Sequence, residues 1–332
     1  MKKINNVGIL AISSVIPKNK ISIKSYSKKF GEKRIEKIIK NTGIKSVRVV
    51  DKNINSSDLC YEAANVVFEK LNFKKSKIDG LVYVSQTRDY IVPQTSFLLR
   101  NKLGLSENVI CYDLPLGCTG FIQGLFQASL MVSSGNFKNV LLLCGDTISK
   151  YLINDDISTI SVFGDGCSAC IIGKNDSNMK FNIKSSSENY KAIIMDKKNH
   201  GDIIHNSNKL AMDGLEVFNF VMKNVPSLIK KNLVDLNKTL DDFNNVFFHQ
   251  ANSFINNYLN RSLKLSEDKS PIILDGFGNT GSASIPLAIT ETLYKSEKGP
   301  TILCGFGVGL SYGTCFLNLN NTMVIKTKIY TL

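Results

Sequence analysis

Short apolar runs alternate with segments of helical period along most of the chain. Residues 78–85, 108–114, 140–145, 168–173, 246–249, 272–274 and 301–305 are nearly continuous hydrophobic stretches of strand length. Such runs fit strands buried on both faces. Between them, residues 119–133 place Ile122, Leu125, Phe126, Ser129 and Leu130 on one helical face, and 252–265 and 282–294 are patterned alike. This alternation predicts an α/β fold, with a mostly parallel sheet and helices on both faces. A first apolar run, 7–16, follows Lys2 and Lys3. Serines interrupt it and no small-residue cleavage site comes after, so a first strand is expected there and not a signal peptide.

The chain contains an internal echo. Phe163-Gly164-Asp165-Gly166 leads into a strand containing Cys170, and Phe306-Gly307-Val308-Gly309 leads into one containing Cys315. It suggests two related halves, 1–174 and 175–332, joined through the polar stretch 174–209, which reads as loops and edge strands.

Composition narrows the class. The chain has 332 residues, 43% of them hydrophobic, which suffices for a full core. No run approaches 18 apolar residues, so no membrane span is expected, and a cytoplasmic location is. The eight cysteines mostly lie in apolar stretches and do not read as a disulfide scaffold. Cys167 and Cys170 form a C-x-x-C inside a strand pattern, with no complementary Cys/His pair, so core packing is expected there and no metal. The net charge of +13 raises nucleic-acid binding. The lysines are scattered, though, with no interleaved aromatic stripe. A solvated basic surface, suited to an acidic protein partner or a phosphorylated ligand, fits better than nucleic acid.

Three places carry candidate chemistry. In Leu116-Gly117-Cys118-Thr119-Gly120 a strand ends, a tight turn follows and a helix begins near Cys118. A helix N-terminus favours a thiolate, and the glycines allow close approach of a ligand, so Cys118 reads as a nucleophile or as a well-packed turn cysteine. His200 and His205 lie in a polar stretch, whereas His249 ends the run Val246-Phe247-Phe248. Open α/β sheets place their sites at such strand ends, although a satisfied core histidine would look the same. Asn279, in Gly278-Asn279-Thr280-Gly281, is either a fixed neutral hydrogen-bond donor or part of an ordinary Gly-Asn turn.

Together these motifs resemble the beta-ketoacyl-acyl-carrier-protein synthase III family of the thiolase superfamily. The matching segments are those around Asp113 to Phe121, Val162 to Gly166, His249-Gln250-Ala251-Asn252, Gly278-Asn279-Thr280 and Gly305 to Gly309, with Asn41-Thr42-Gly43-Ile44 near the start. The resemblance implies a five-layered α/β/α/β/α subunit and a homodimer with a sheet continuous across it. It implies an acyl group on Cys118, with His249 and Asn279 binding the enolate of a malonyl thioester. The backbone N–H groups of Cys118 and Val308 would form a second oxyanion hole. Acyl-CoA or acyl-carrier thioesters would be substrates, and no resident cofactor is expected.

There are departures. The family's tryptophan and arginine that clasp adenine fall at Lys37 and Asn41, and a further nucleotide-binding arginine falls at Ile157. Where the family has glycine, Val308 stands. Arg261 matches a basic position used for carrier docking, while another such position is Phe254. A specialised relative served by an acyl-carrier protein is therefore expected. The alternatives are an acyltransferase to an amine or hydroxyl on the same fold, a Cys-His-Asn hydrolase, and a non-catalytic partner subunit.

Overall fold

The computed structural model describes residues 1–196 and 209–331. His200 and His205 lie outside the described residues. Two sheets stack with helices between and outside them. In the first, Val7–Ile16 pairs antiparallel with Gly166–Lys174, which pairs antiparallel with Asn139–Asp146. Gly80–Val84 and Ile110–Leu114 then add in parallel. In the second, Met179–Ser185, Ser311–Asn318 and Pro300–Gly307 are successively antiparallel, and Asn245–Phe248 adds in parallel. The two halves thus repeat one plan. The first sheet is mostly parallel as expected, with four parallel pairings against two antiparallel among the described residues, whereas the second is mostly antiparallel, with three against one.

The continuous apolar runs follow from cover on both sides. Successive residues of a strand point to opposite faces. Leu81, Tyr83, Leu141 and Leu143 face the outer helices Ser56–Lys70 and Thr95–Lys102. Val82, Val84, Leu142 and Cys144 face the middle layer, where Gly120–Ser133 and Ser284–Thr292 meet Phe247, Leu303 and Cys315 of the second sheet. Val246, Phe248, Ile302 and Phe306 face Gly214–Leu236 and Ser253–Leu263 on the far side. The layers are therefore α/β/α/β/α. By the same alternation Cys167 and Cys170 point to opposite faces of their strand, so they cannot share a ligand.

Several expectations change. Residues 272–274 are not a strand, because Pro271 offers no N–H and the Gln250 side chain takes over the pairing. Its Nε2 donates to the carbonyls of Phe248 and Pro271, and its Oε1 accepts from the Ile273 N–H at 3.0 Å. Ile110–Leu114 is not buried; it is the sheet's edge, with Ile110 and Tyr112 nearly half exposed. Helix Gly120–Ser133 is sandwiched between sheets, so most of its surface is buried and Leu130 is exposed. Met179–Ser185 lies inside its sheet, not at an edge. The halves also exchange their ends. Lys2–Ile4 joins the second sheet, while Met323–Val324 and Lys328–Ile329 join the first.

Candidate active site

Cys118, His249 and Asn279 line one cavity of about 690 Å³, its open mouth included, where the two halves of the chain meet. Each comes from a different junction at the end of a strand or before a helix. The walls are otherwise mostly apolar, with Ile148, Phe163, Met212 and Phe306 among them and Gln86 and Asn252 as further polar residues.

Cys118 sits in the turn between Ile110–Leu114 and Gly120–Ser133, two residues before the helix begins. The neighbouring glycines serve protein packing and not ligand approach as expected. Gly117 lies under the Gln86 side chain, and a Cβ on Gly120 would fall 2.6 Å from Val84. The contact that bears on the thiol itself comes from the other half. A Cβ on Gly307 would stand 2.7 Å from Cys118 Cβ and 2.9 Å from its Sγ, and φ there is +148°, which only glycine adopts readily. That approach aims the Val308 N–H at Cys118 Sγ. A hydroxyl chain holds the pair together. Thr119 Oγ1 accepts from Gln123 Nε2 and donates to Ser311 Oγ at 2.7 Å, which donates to the Val308 carbonyl at 2.7 Å.

The expected thiolate is not the resting state. Burial pushes the Cys118 thiol up to about 12, against the pull of the Val308 and Cys118 N–H groups. His249 is also uncharged, because burial lowers its pKa to about 3. Its tautomer follows from its partners. Ser284 Oγ accepts the Gln250 N–H at 3.4 Å, and its hydroxyl has no other acceptor among the described residues than His249 Nδ1, 2.6 Å away, so the serine donates there. The neutral ring then carries its proton on Nε2, as a donor. Phe306 packs edge-on against it, with centroids 5.5 Å apart.

Asn279 is held by its backbone and by its own amide. Its N–H donates to the Val162 carbonyl at 2.8 Å, its carbonyl accepts from Gly164, and Oδ1 accepts the Gly281 N–H at 3.0 Å. With Oδ1 occupied, Nδ2 is the group left to donate. In a Cys-His-Asn hydrolase the amide orients the imidazole; here Ser284 occupies that place. The rest of the His249 motif is structural. Gln250 staples the strand end, and Asn252 caps the next helix by accepting from the Ile255 N–H at 2.9 Å.

Two supporting residues were not found in the sequence. Ser284 lies 35 residues from His249, and a serine near a helix start reads as a cap. Asp146 is fully buried, yet no cation faces it among the described residues. Its Oδ1 accepts from the Gln86 N–H at 2.7 Å, and its Oδ2 from the Ser282 N–H and hydroxyl at 3.1 and 2.9 Å. It ties the first half to the turn carrying Asn279. Of the departures, Lys37 and Asn41 are exposed, whereas Ile157 is buried in the core. Arg261 and Phe254 are exposed on helix Ser253–Leu263. No cluster of potential metal ligands occurs among the described residues.

Comparison with known proteins gives the chain its relatives. Residues 112–189 match the 3-oxoacyl-[acyl-carrier-protein] synthase III family, and residues 233–319 match its C-terminal part. A putative 3-oxoacyl-[acyl-carrier-protein] synthase 3 of Campylobacter jejuni is 32% identical, over 90% of this chain and 88% of its own. The beta-ketoacyl-[acyl-carrier-protein] synthase III of Clostridium acetobutylicum is 33% identical, over 94% of this chain and 98% of its own. The crystal structure of a 3-oxoacyl-(acyl-carrier protein) synthase from Burkholderia xenovorans superposes with a TM-score of 0.94 at 28% identity, covering 99% of this chain and 98% of that one.

Proposed function

The chain belongs to the 3-oxoacyl-[acyl-carrier-protein] synthase III family, and from that premise we propose how its own residues run the condensation. The Cys118 sulfur attacks the carbonyl carbon of an acyl thioester. The old C–S bond breaks, and the departing thiol takes up the proton that Cys118 gives up. A malonyl thioester then enters with its carbonyl oxygen between His249 Nε2–H and Asn279 Nδ2–H. Loss of carbon dioxide leaves an enolate on that oxygen, and fixed donors at a developing oxyanion each contribute about 3 kcal/mol. The enolate carbon attacks the acyl carbonyl on Cys118. The tetrahedral oxyanion is held by the Cys118 and Val308 N–H groups, and its collapse expels the Cys118 sulfur, which takes a proton from solvent and returns to the thiol.

The observation that carries this reading is the cavity itself. One apolar chamber holds a thiol and two neutral donors, with the other valences of both donors already committed. Neutral donors suit an enolate oxygen, because they stabilise charge without transferring a proton to it. No resident cofactor or metal is needed. The donor comes from an acyl-carrier protein. Lys37 and Asn41 offer neither ring nor guanidinium for an adenine, and buried Ile157 cannot reach a nucleotide. Arg261 supplies one docking cation. A homodimer pairs the exposed edge Ile110–Leu114 with its copy, covering Ile110, Tyr112 and Phe97. The eight free thiols fit a reducing cytoplasm.

The test is product analysis of enzyme pre-acylated on Cys118 and given a malonyl thioester. The expected products are carbon dioxide and a 3-oxoacyl thioester in equal amounts. Free acid without malonyl consumption would make the chain a hydrolase, and acyl transfer to an added amine or alcohol would make it a simple transferase.

A further inference from the structure

The cavity holding Cys118 adjoins a second chamber of about 940 Å³, its open mouth included. Gln86, Ile193, Leu210 and Val308 line both. Two of these flank the nucleophile. The Val308 N–H points at Cys118 Sγ, and the Gln86 side chain lies on Gly117, the residue before Cys118. The chambers therefore join at the thiol. A malonyl thioester bound at His249 and Asn279 occupies the first chamber, which leaves the second for the acyl chain on Cys118. That chain passes Gln86 to reach it. Tyr190, Ile194 and Met195 line the second chamber beyond the join.

Gln86 is the polar side chain of the first cavity still without a task. Cys118 takes the acyl group, His249 and Asn279 face the enolate oxygen, and Asn252 caps a helix. The Gln86 backbone N–H is fixed on Asp146 Oδ1 at 2.7 Å, but its side-chain amide has no hydrogen-bond partner among the described residues. The amide is nevertheless seated. A Cβ on Gly117 would fall 2.1 Å from Gln86 Oε1, 2.5 Å from its Cδ and 3.0 Å from its Nε2. Gly117 has no positive φ that would call for glycine, so what its missing side chain provides is room for this amide.

Gln86 is partly exposed, so in the open cavity its amide meets solvent. An acyl chain filling the join displaces that solvent. A plain hydrocarbon would then leave Oε1 and Nε2 desolvated and unpaired, which is costly for both the acyl-enzyme and the step that forms it. A hydroxyl pairs with either atom, giving its proton to Oε1 or accepting one from Nε2. No charged side chain lines either chamber, so an ionic substituent would be desolvated without a counter-ion.

We propose that Gln86 selects an acyl group that carries a hydroxyl on one of the first carbons beyond the thioester carbonyl. The inference rests on acylation of Cys118 and adds the chemical class of the group transferred, a hydroxyacyl chain and not a plain hydrocarbon.

The experiment times the acylation of Cys118 by intact mass in wild type and Gln86→Met. The donors are the N-acetylcysteamine thioesters of butyrate, 2-hydroxybutyrate and 3-hydroxybutyrate, which need no carrier protein. Methionine keeps the length of the side chain and removes both hydrogen-bonding atoms. In wild type one of the two hydroxyacyl groups should load roughly tenfold faster than butyryl, because the amide is paired with one and stranded by the other. In Gln86→Met that ratio should fall to about one or below, whatever the absolute rates. A merely structural role of Gln86 would change both rates together and keep the wild-type ratio, which overturns the proposal. So does a wild type that loads butyryl as fast as either hydroxyacyl group, a result that requires no variant to fold. Loading without preference overturns the proposal alone, whereas a Cys118 that accepts none of the three donors overturns the acylation reading and the proposal with it.

Discussion

The two halves place equivalent junctions at the centre of the molecule and use them in opposite ways. Each half has a turn that leads into a helix of the middle layer. Two residues before the helix stands Cys118 in the first half and Ser282 in the second. Each corner meets the end of a strand from the opposite half, Gly307 against Cys118 and Asp146 against Ser282. At the first contact the strand end withdraws its side chain, and the thiol is left facing the cavity. At the second a carboxylate locks the serine through its N–H and hydroxyl, and no reactive group remains. The same geometry therefore yields a nucleophile on one side and a clamp on the other. Chemistry is expected to fail when the first is changed, and stability when the second is.

The largest effect expected is at the open corner. Cys118→Ala should abolish acylation, read as the loss of the mass gain after incubation with acyl thioesters, while stability changes by less than about 1 kcal/mol. A label that survives in this variant, or maps to Cys167 or Cys170, breaks the comparison. At the clamp, Asp146→Ala leaves the Gln86 and Ser282 N–H groups buried without an acceptor. Urea unfolding should show a loss of about 3 kcal/mol. A variant as stable as wild type would remove the clamp from the picture. Asn279→Ala separates the steps. It should still accept an acyl group on Cys118, but condense about 100-fold more slowly, the usual size for one lost oxyanion donor. Equal condensation rates would mean that no enolate forms there and would favour the transferase alternative.

Much of this architecture is legible in the chain, and the misreadings have physical causes. Gly80–Val84, Asn139–Asp146 and Pro300–Gly307 stand out because both faces are covered and nearly every position between their ends is apolar. The same cover erases the alternation that would reveal antiparallel neighbours, so the mostly antiparallel second sheet reads as parallel like the first. Residues 272–274 mimic a strand because the pairing partner is one glutamine side chain. Ile110 and Tyr112 look like core because this exposed edge strand carries the same apolar residues as a central one. In the site, Cys118, His249 and Asn279 are each marked by a strand end or a glycine turn. Ser284 and Asp146 carry no local mark, because their roles exist only once the chain brings the second half to the first.

The smallest effect expected is none, and it concerns the charge on His249. Burial lowers the ring's pKa from 6.5 to about 3, and the Ser284 hydroxyl proton faces Nδ1. Between those two values the unfolded chain binds more protons at this ring than the folded one. Its contribution to stability is therefore fully present above about pH 6.5 and is lost as the pH falls towards 3. Between about pH 6 and 8 the ring stays neutral and donates through Nε2–H throughout. Single-turnover condensation from pre-acylated enzyme should accordingly show no inflection from His249 in that window. A hydrated ring would instead become an imidazolium as the pH falls through about 6.5. Being a stronger donor, it would make the rate rise there. Such a rise in wild type, absent from His249→Asn, would mean that the second half supplies an acid. The contrast between a reactive corner and a half that only holds neutral donors would then have to be given up.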